Sequence, residues 1–230
     1  MRIACLEHVP FEGPGAIAEW AVQRGHALSE VAVFREALPA VGSFDMLVVM
    51  GGPMGAADDE QHPWLPAERA FIREAADAGR PVIGVCLGAQ LLAVALGGSI
   101  TRNETPEIGW FPLEVTGDRA DTVFADWPDS LMAGHWHGDT FELPSDVAVM
   151  ASSAACARQA YVARGGRAVG LQCHVEWTEA GLSALIEACG DELVPGPFVQ
   201  SANELLGGVR HLATARRALF GLLDRMEALA

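Results

Sequence analysis

One stretch constrains this chain more than any other: Pro81-Val-Ile-Gly-Val-Cys-Leu-Gly-Ala-Gln90. Val82–Val85 is short and apolar throughout, as expected of a strand buried on both faces. Ala89–Leu96 has helical character. The join carries Gly84, Cys86 and Gly88 in a Gly-x-Cys-x-Gly pattern. A sharp strand-to-helix turn needs such glycines, because they relieve crowding where the backbone doubles back. The turn lifts the cysteine out at the carboxyl end of a sheet. There the helix N-terminus presents unpaired N–H groups and the positive end of its dipole, which favour a thiolate. Cys86 is therefore a candidate nucleophile, and the Leu87 N–H a candidate oxyanion donor. A buried structural cysteine fits the local pattern about as well.

The surrounding sequence repeats the same rhythm. Ile3–Glu7, Ala27–Phe34 and Met46–Met50 are predicted strands, and Gly15–Arg24 and Pro63–Ala78 are predicted helices. Alternation of this kind implies a doubly wound, mostly parallel α/β sheet. Farther on, Thr105–Thr116 and Asp146–Leu171 hold short strands punctuated by turn residues, including Gly165 and Gly166, and suggest antiparallel additions. Thr178–Ala188 reads as a helix. After the Val194-Pro-Gly-Pro197 break, Phe198–Ala230 is helical again. The expected organisation is one domain over 1–190 and a helical C-terminal appendage over 191–230.

Bulk properties narrow the function classes. The 230 residues carry 15 basic and 30 acidic side chains, a formal charge of −15. Such a surface repels phosphate backbones, so nucleic acid is not an expected partner. The start of the chain has no secretory pattern, and no apolar run reaches the roughly 20 residues of a membrane span. Five cysteines, Cys5, Cys86, Cys156, Cys173 and Cys189, are odd in number and widely spaced. They suggest reduced thiols and a cytoplasmic protein, with Cys5, Cys156 and Cys189 buried.

Two further stretches carry chemistry. In Gly170-Leu-Gln-Cys-His-Val-Glu176, an extended backbone would put His174 and Glu176 on one side, so the carboxylate could orient the imidazole. Val48-Val-Met-Gly-Gly-Pro-Met-Gly55 ends a strand in a glycine turn. Pro53 has no N–H, so Gly52 is the candidate second oxyanion donor. His135-Trp-His137-Gly-Asp139 fits a His-x-His-x-Asp metal pattern, but no further ligand set follows, and no metal or cofactor is expected. His8 and Glu12 follow the first strand, near any crevice at the strand ends, and read as surface positions. Trp110, Trp127, Trp136 and Trp177 are expected in the core or in a pocket wall.

Taken together, Gly51-Gly-Pro-Met54, Gly84-Val-Cys-Leu-Gly-Ala-Gln90 and His174-Val-Glu176 resemble the class I, or triad, glutamine amidotransferases, notably the glutaminase domain of GMP synthetase. The resemblance covers roughly residues 1–190, and the order of the elements makes it specific. It implies a flavodoxin-like fold, a Cys86–His174–Glu176 triad, and Gln90 holding the glutamine head group. It also makes 135–141 a substrate-side loop, with Trp136, His137 and Asp139 near the ligand. The chain departs from the family's Phe-His-Pro-Glu at Cys173 and Val175, and no nucleotide loop follows residue 190. The expected activity is amide hydrolysis of glutamine or a γ-glutamyl compound. Ammonia could pass to a separate synthetase subunit, or the protein could be a γ-glutamyl peptidase. A catalytically silent binding or regulatory module is the alternative of another class.

Overall fold

The computed structural model describes residues 1–116 and 119–230. The strands are β1 (Arg2–Glu7), β2 (Ala27–Ala32), β3 (Met46–Val49), β4 (Val82–Val85), β5 (Ser99–Val115), β6 (Ser130–Glu142), β7 (Ala148–Ser152), β8 (Ala160–Ala163) and β9 (Ala168–Leu171). The helices are α1 (Ala16–Gln23), α2 (Leu65–Asp77), α3 (Leu87–Ala95), α4 (Glu179–Cys189), α5 (Ala202–Gly207) and α6 (Leu212–Glu227).

All nine strands form one sheet in the order β2-β1-β3-β4-β9-β8-β7-β5-β6. The first five are parallel, and their order is that of a flavodoxin-like doubly wound sheet. The remaining four are joined by antiparallel pairings. The expected α/β class, with antiparallel additions, is the observed one.

The central parallel strands β3, β4 and β9 are apolar throughout because helices cover both faces, and successive side chains alternate between them. Ile3, Cys5, Met46, Val48, Ile83 and Val85 pack with α1 and α6 on one face. Ala4, Leu6, Leu47, Val49 and Val82 pack with α2 and α3 on the other. The helical tail is built into this architecture. Leu219, Leu222, Leu223 and Met226 of α6 are fully buried in the first core. Asp224 accepts a 2.8 Å bond from the Trp20 indole and pairs with Arg24. Leu205 of α5 joins a third cluster with Ile108, Trp110, Trp136 and Trp177. Among the described residues, no helix is long and apolar enough to cross a membrane.

Some expectations are corrected. The region 105–116 is not a set of short strands: all of it but Thr116 lies in the 17-residue β5. Pro106 and Pro112 mislead there, because β5 pairs with β6 along most of its length and meets β7 only at Glu114 and Val115, so its other edge tolerates missing donors. The segment 135–141 is not a loop but the middle of β6, opposite β5. Helix α3 starts at Leu87 rather than after Gly88, with Cys86 as its N-cap at φ 51° and ψ −108°. That left-handed conformation is uncommon for a residue with a side chain.

Gly84 and Gly88 are required by close approach. A Cβ on Gly88 would lie 2.0 Å from the Val49 carbonyl oxygen, and one on Gly84 would lie 2.3 Å from the Gly88 oxygen. Backbone on both sides leaves nothing free to swing away. Gly88→Ala is expected to destabilise the protein by about 3 kcal/mol, as overpacking between rigid elements does. The midpoint of chemical denaturation measures this, and an unchanged midpoint would contradict the packing argument.

Candidate active site

The sheet order reverses between β1 and β3, so a crevice opens at the carboxyl ends of the central strands. Three strand ends meet there: β1 leads to His8 and Glu12, β3 to Gly51 and Gly52, and β4 to Cys86. A cavity of about 190 Å³ lies at this place, on the scale of one amino acid. Cys86, Leu87, Gln90, Gly52, Trp136, His137, Asp139 and His174 all line it. Every site residue expected from the sequence except Glu176 therefore borders one cavity, and Glu176 lies directly behind His174.

Cys86 is 7 % exposed at the turn between β4 and α3. Its amide donates to the Leu171 carbonyl at 2.7 Å, tying the turn to β9. Its Sγ lies 3.5 Å from the Trp136 carbonyl oxygen and 3.7 Å from the Gln172 side-chain nitrogen. Leu87 is the first residue of α3, so its N–H has no acceptor within the helix.

His174 follows β9 and exchanges backbone hydrogen bonds with Gly134 of β6, at 2.7 and 3.0 Å. Its ring stacks on Trp177, centroids 4.7 Å apart at 18°. Nδ1 lies 2.7 Å from Glu176 Oε1, so Nδ1–H donates to the carboxylate. The backbone here bends rather than running as a regular strand, yet the pairing expected from the two-residue spacing is present. The imidazole also contacts the Cys86 side chain. Burial opposes its positive charge, but Glu176 and Cys86 together outweigh burial and hold its pKa well above the usual value. Glu176 is itself anchored, its carbonyl accepting from Ala16 N at 2.8 Å where α1 begins.

Cys173, next to His174, is fully buried, and burial pushes its thiol well above the ordinary range. It is not a competing nucleophile. Cys5 and Cys156 are buried as expected; Cys189 is also buried but contributes to the cavity wall. The four tryptophans named from sequence are all at most 8 % exposed.

The histidine pair of β6 forms a separate buried network. Ligand atoms of Glu107, His135 and His137 lie within 4.8 Å of one another, whereas Asp139 is not among them. His137 Nδ1 bonds the Asp139 carbonyl oxygen at 3.1 Å, so Asp139 contributes backbone there. The Gln159 amide nitrogen sits 2.6 Å from Glu107 Oε2, 3.1 Å from Ser153 Oγ and 3.2 Å from His137 Nε2. Glu107 Oε1 and His135 Nδ1 of this triplet have no hydrogen-bond partner. Burial lowers the His135 pKa to about 4 and keeps that ring neutral.

Sequence reasoning missed several wall residues. Arg102 and Glu192 also line the cavity. Arg102 stands opposite Asp139 in the β5–β6 register, and Glu192 accepts from the Trp136 indole at 3.1 Å. Gln172 links Gln90, 3.2 Å away, to the sulfur of Cys86. Its position in the Gly170–Glu176 motif was the only available signal. Glu12 and His8 are corrections. Glu12 lines the cavity, its carboxyl pKa raised by burial despite the opposing influence of His174. His8 is 2 % exposed, not a surface residue.

Comparison with known proteins gives the chain a family. Residues 16–186 match the family model for glutamine amidotransferase class-I. The chain belongs to the class-I glutamine amidotransferase family. It is 37 % identical over 214 residues to the glutamine amidotransferase-like protein YfeJ of Salmonella typhimurium, covering 89 % of each chain. The crystal structure of a glutamine amido transferase from Methylobacillus flagellatus superposes with a TM-score of 0.92 at 33 % identity, over 99 % of this chain and 94 % of that one. A glutamine-hydrolysing GMP synthase of Vibrio atlanticus is 32 % identical over 155 residues, which is 64 % of this chain but 28 % of the synthase. Class-I glutamine amidotransferases of that kind hydrolyse glutamine, and the match to the synthase covers only part of its length.

Proposed function

We propose that this protein hydrolyses the side-chain amide of glutamine or of a γ-glutamyl compound through a thioester on Cys86. The observation that carries the reading is the Cys86–His174–Glu176 arrangement at one wall of a cavity that Gly52 and Leu87 also border. The Cys86 thiolate attacks the amide carbon, and the N–H groups of Gly52 and Leu87 receive the developing oxyanion. The imidazolium of His174 gives its proton to the departing nitrogen as the C–N bond breaks, leaving a γ-glutamyl thioester. His174 then takes a proton from water, the water oxygen displaces the sulfur, and glutamate leaves. Glu176 holds the ring in orientation and stabilises its charged form.

The cavity walls suit an amino-acid head group. Arg102, the one Arg or Lys among the described cavity-lining residues, can meet an α-carboxylate, while Glu12, Asp139 and Glu192 offer acceptors for an α-ammonium. Gln90, placed by Gln172, serves the same end of the substrate. Trp136 and His137 form the facing wall. No cofactor enters the scheme. Two fates of the nitrogen fit the family: transfer of ammonia to a separate synthetase subunit, or release of a larger amine by a γ-glutamyl peptidase.

The test is glutamate release by the purified chain, without ATP or added metal, from glutamine and from γ-glutamyl dipeptides. Turnover of at least one substrate is expected. Faster cleavage of dipeptides would assign the peptidase role. Glutamine cleavage that accelerates with a synthetase partner would assign ammonia transfer. No cleavage of any substrate, with no labelling of Cys86 by an electrophilic glutamine analogue, would leave the silent-module reading in its place.

A further inference from the structure

Outside the triad, the buried pair His8–Glu68 is a polar contact that the scheme above does not use. His8 directly follows β1 and Glu68 lies in the first turn of α2. Their side chains are 0 % and 1 % exposed, with His8 Nε2 2.9 Å from Glu68 Oε1. The other ring nitrogen, Nδ1, lies 2.9 Å from the carbonyl oxygen of Gly51. A carbonyl only accepts, so Nδ1 carries a hydrogen and points it at this oxygen. The second oxygen of Glu68 has no hydrogen-bond partner. Leaving a buried carboxylate oxygen unpaired is costly, so placing His8 is the evident use of this residue.

The Gly51 carbonyl belongs to the same peptide unit as the Gly52 N–H. There is no cis peptide in the described chain, so the two groups point in opposite directions. A bond that fixes one fixes the other. The unit is closely confined: a Cβ on Gly52 would fall 2.9 Å from His8 Cβ and 3.2 Å from a Leu87 methyl, and a Cβ on Gly51 would fall 3.6 Å from Cys86 Cβ. Glycine is needed for that fit, yet glycine also lets a peptide rotate freely. Some other group must hold the plane. The neighbouring Arg69 ties down the far part of the same loop, bonding the Ala56 carbonyl at 2.7 Å and Asp59 at 2.7 and 2.8 Å. His8 also stacks on Trp64, centroids 5.5 Å apart, which restricts its ring.

We infer that His8, held by Glu68, is a positioning residue that locks the Gly51–Gly52 peptide so that the Gly52 N–H stays aimed at the oxyanion. The inference rests on the hydrolase reading above and adds to it the device that keeps its second donor in place. His8 touches no reacting atom. It acts through the peptide, and Glu68 acts through His8.

Three substitutions separate this role from simple packing. The amide nitrogen of Asn can stand where Nδ1 stands, so His8→Asn retains the donor to Gly51. The amide of Gln reaches toward the Nε2 position, so His8→Gln keeps a partner for Glu68 but none for Gly51. His8→Phe keeps the ring volume and loses both bonds. With the best substrate from the panel, His8→Gln and His8→Phe are expected to lower kcat about 10- to 100-fold with KM changed less than about threefold, somewhat less than outright loss of an oxyanion donor. His8→Asn is expected within about threefold of wild type. Alkylation of Cys86 by iodoacetamide, which forms no oxyanion, should proceed at the wild-type rate in all three. Hydrogen exchange over residues 51–55 should quicken in His8→Phe and not in His8→Asn. Wild-type kcat in folded His8→Gln overturns the proposal, as does a loss in His8→Asn equal to that in His8→Phe. Should His8→Phe not fold, His8→Gln and His8→Asn still decide. Failure of the hydrolase reading looks different: there the wild type itself cleaves no γ-glutamyl amide.

Discussion

Cys86→Ala abolishes turnover, a fall in kcat of at least about 10,000-fold, while the protein stays folded. The loss is large because the other thiol at the cavity wall among the described residues, Cys189, is a poor nucleophile: burial and Glu192 push its pKa up to about 11. Cys173, the thiol next to His174, is fully buried with its thiol pKa pushed far up by that burial. Alanine at position 86 has the same backbone requirement as cysteine, so the strained turn at φ 51° is neither relieved nor worsened. Cys173→Ala, in contrast, retains most activity. The checks are initial rates of glutamate release alongside circular dichroism. A folded Cys86→Ala variant that still turns over would remove the thioester mechanism. Complete loss in folded Cys173→Ala would move the assignment to that thiol.

His174→Ala lowers kcat by about 1,000-fold or more, and Glu176→Gln by roughly 10- to 100-fold. The inequality follows from the two roles. His174 moves the protons of both half-reactions, whereas Glu176 orients the ring through the 2.7 Å bond and supports its charge. A thiol also needs less help in ionising than a hydroxyl does. Glu176→Gln carries a second signature. The carboxylate is the first of the influences that raise the His174 pKa against burial. With that charge removed, the imidazolium loses its proton at lower pH. The alkaline limb of the kcat profile, where the acid that protonates the departing nitrogen is lost, therefore moves down in pH. The same sign governs stability: a raised histidine pKa contributes below the ordinary histidine value near 6.5, and the contribution disappears as pH rises through the folded value. Steady-state rates and pH profiles of both variants measure this. Equal losses, or an alkaline limb that stays in place, would contradict the role given to Glu176.

Much of this protein could be read along the chain. Val82–Val85 is legible to its observed limits, because a short run apolar on both faces has few alternatives to a central parallel strand. The Gly84–Cys86–Gly88 turn, the order of the parallel strands' helices and the His174–Glu176 pairing were legible for a similar reason: each is set by residues close together in sequence. The hairpin of β5 and β6 was not legible. Its prolines and glycines imply breaks, and a long pairing with one largely free edge tolerates them. The sequence by itself determined the doubly wound sheet and the cysteine at the carboxyl end of a central strand, since short continuous apolar runs and a glycine elbow are local properties. Tertiary structure alone decided that His8 meets Glu68 under the Gly51 peptide, that Gln159 sits between Glu107 and His137, and that Arg102 faces the cavity. Polar residues have no periodic signature of their own. Their partners are chosen by burial, which leaves each donor and acceptor only the groups that the packed chain brings within reach.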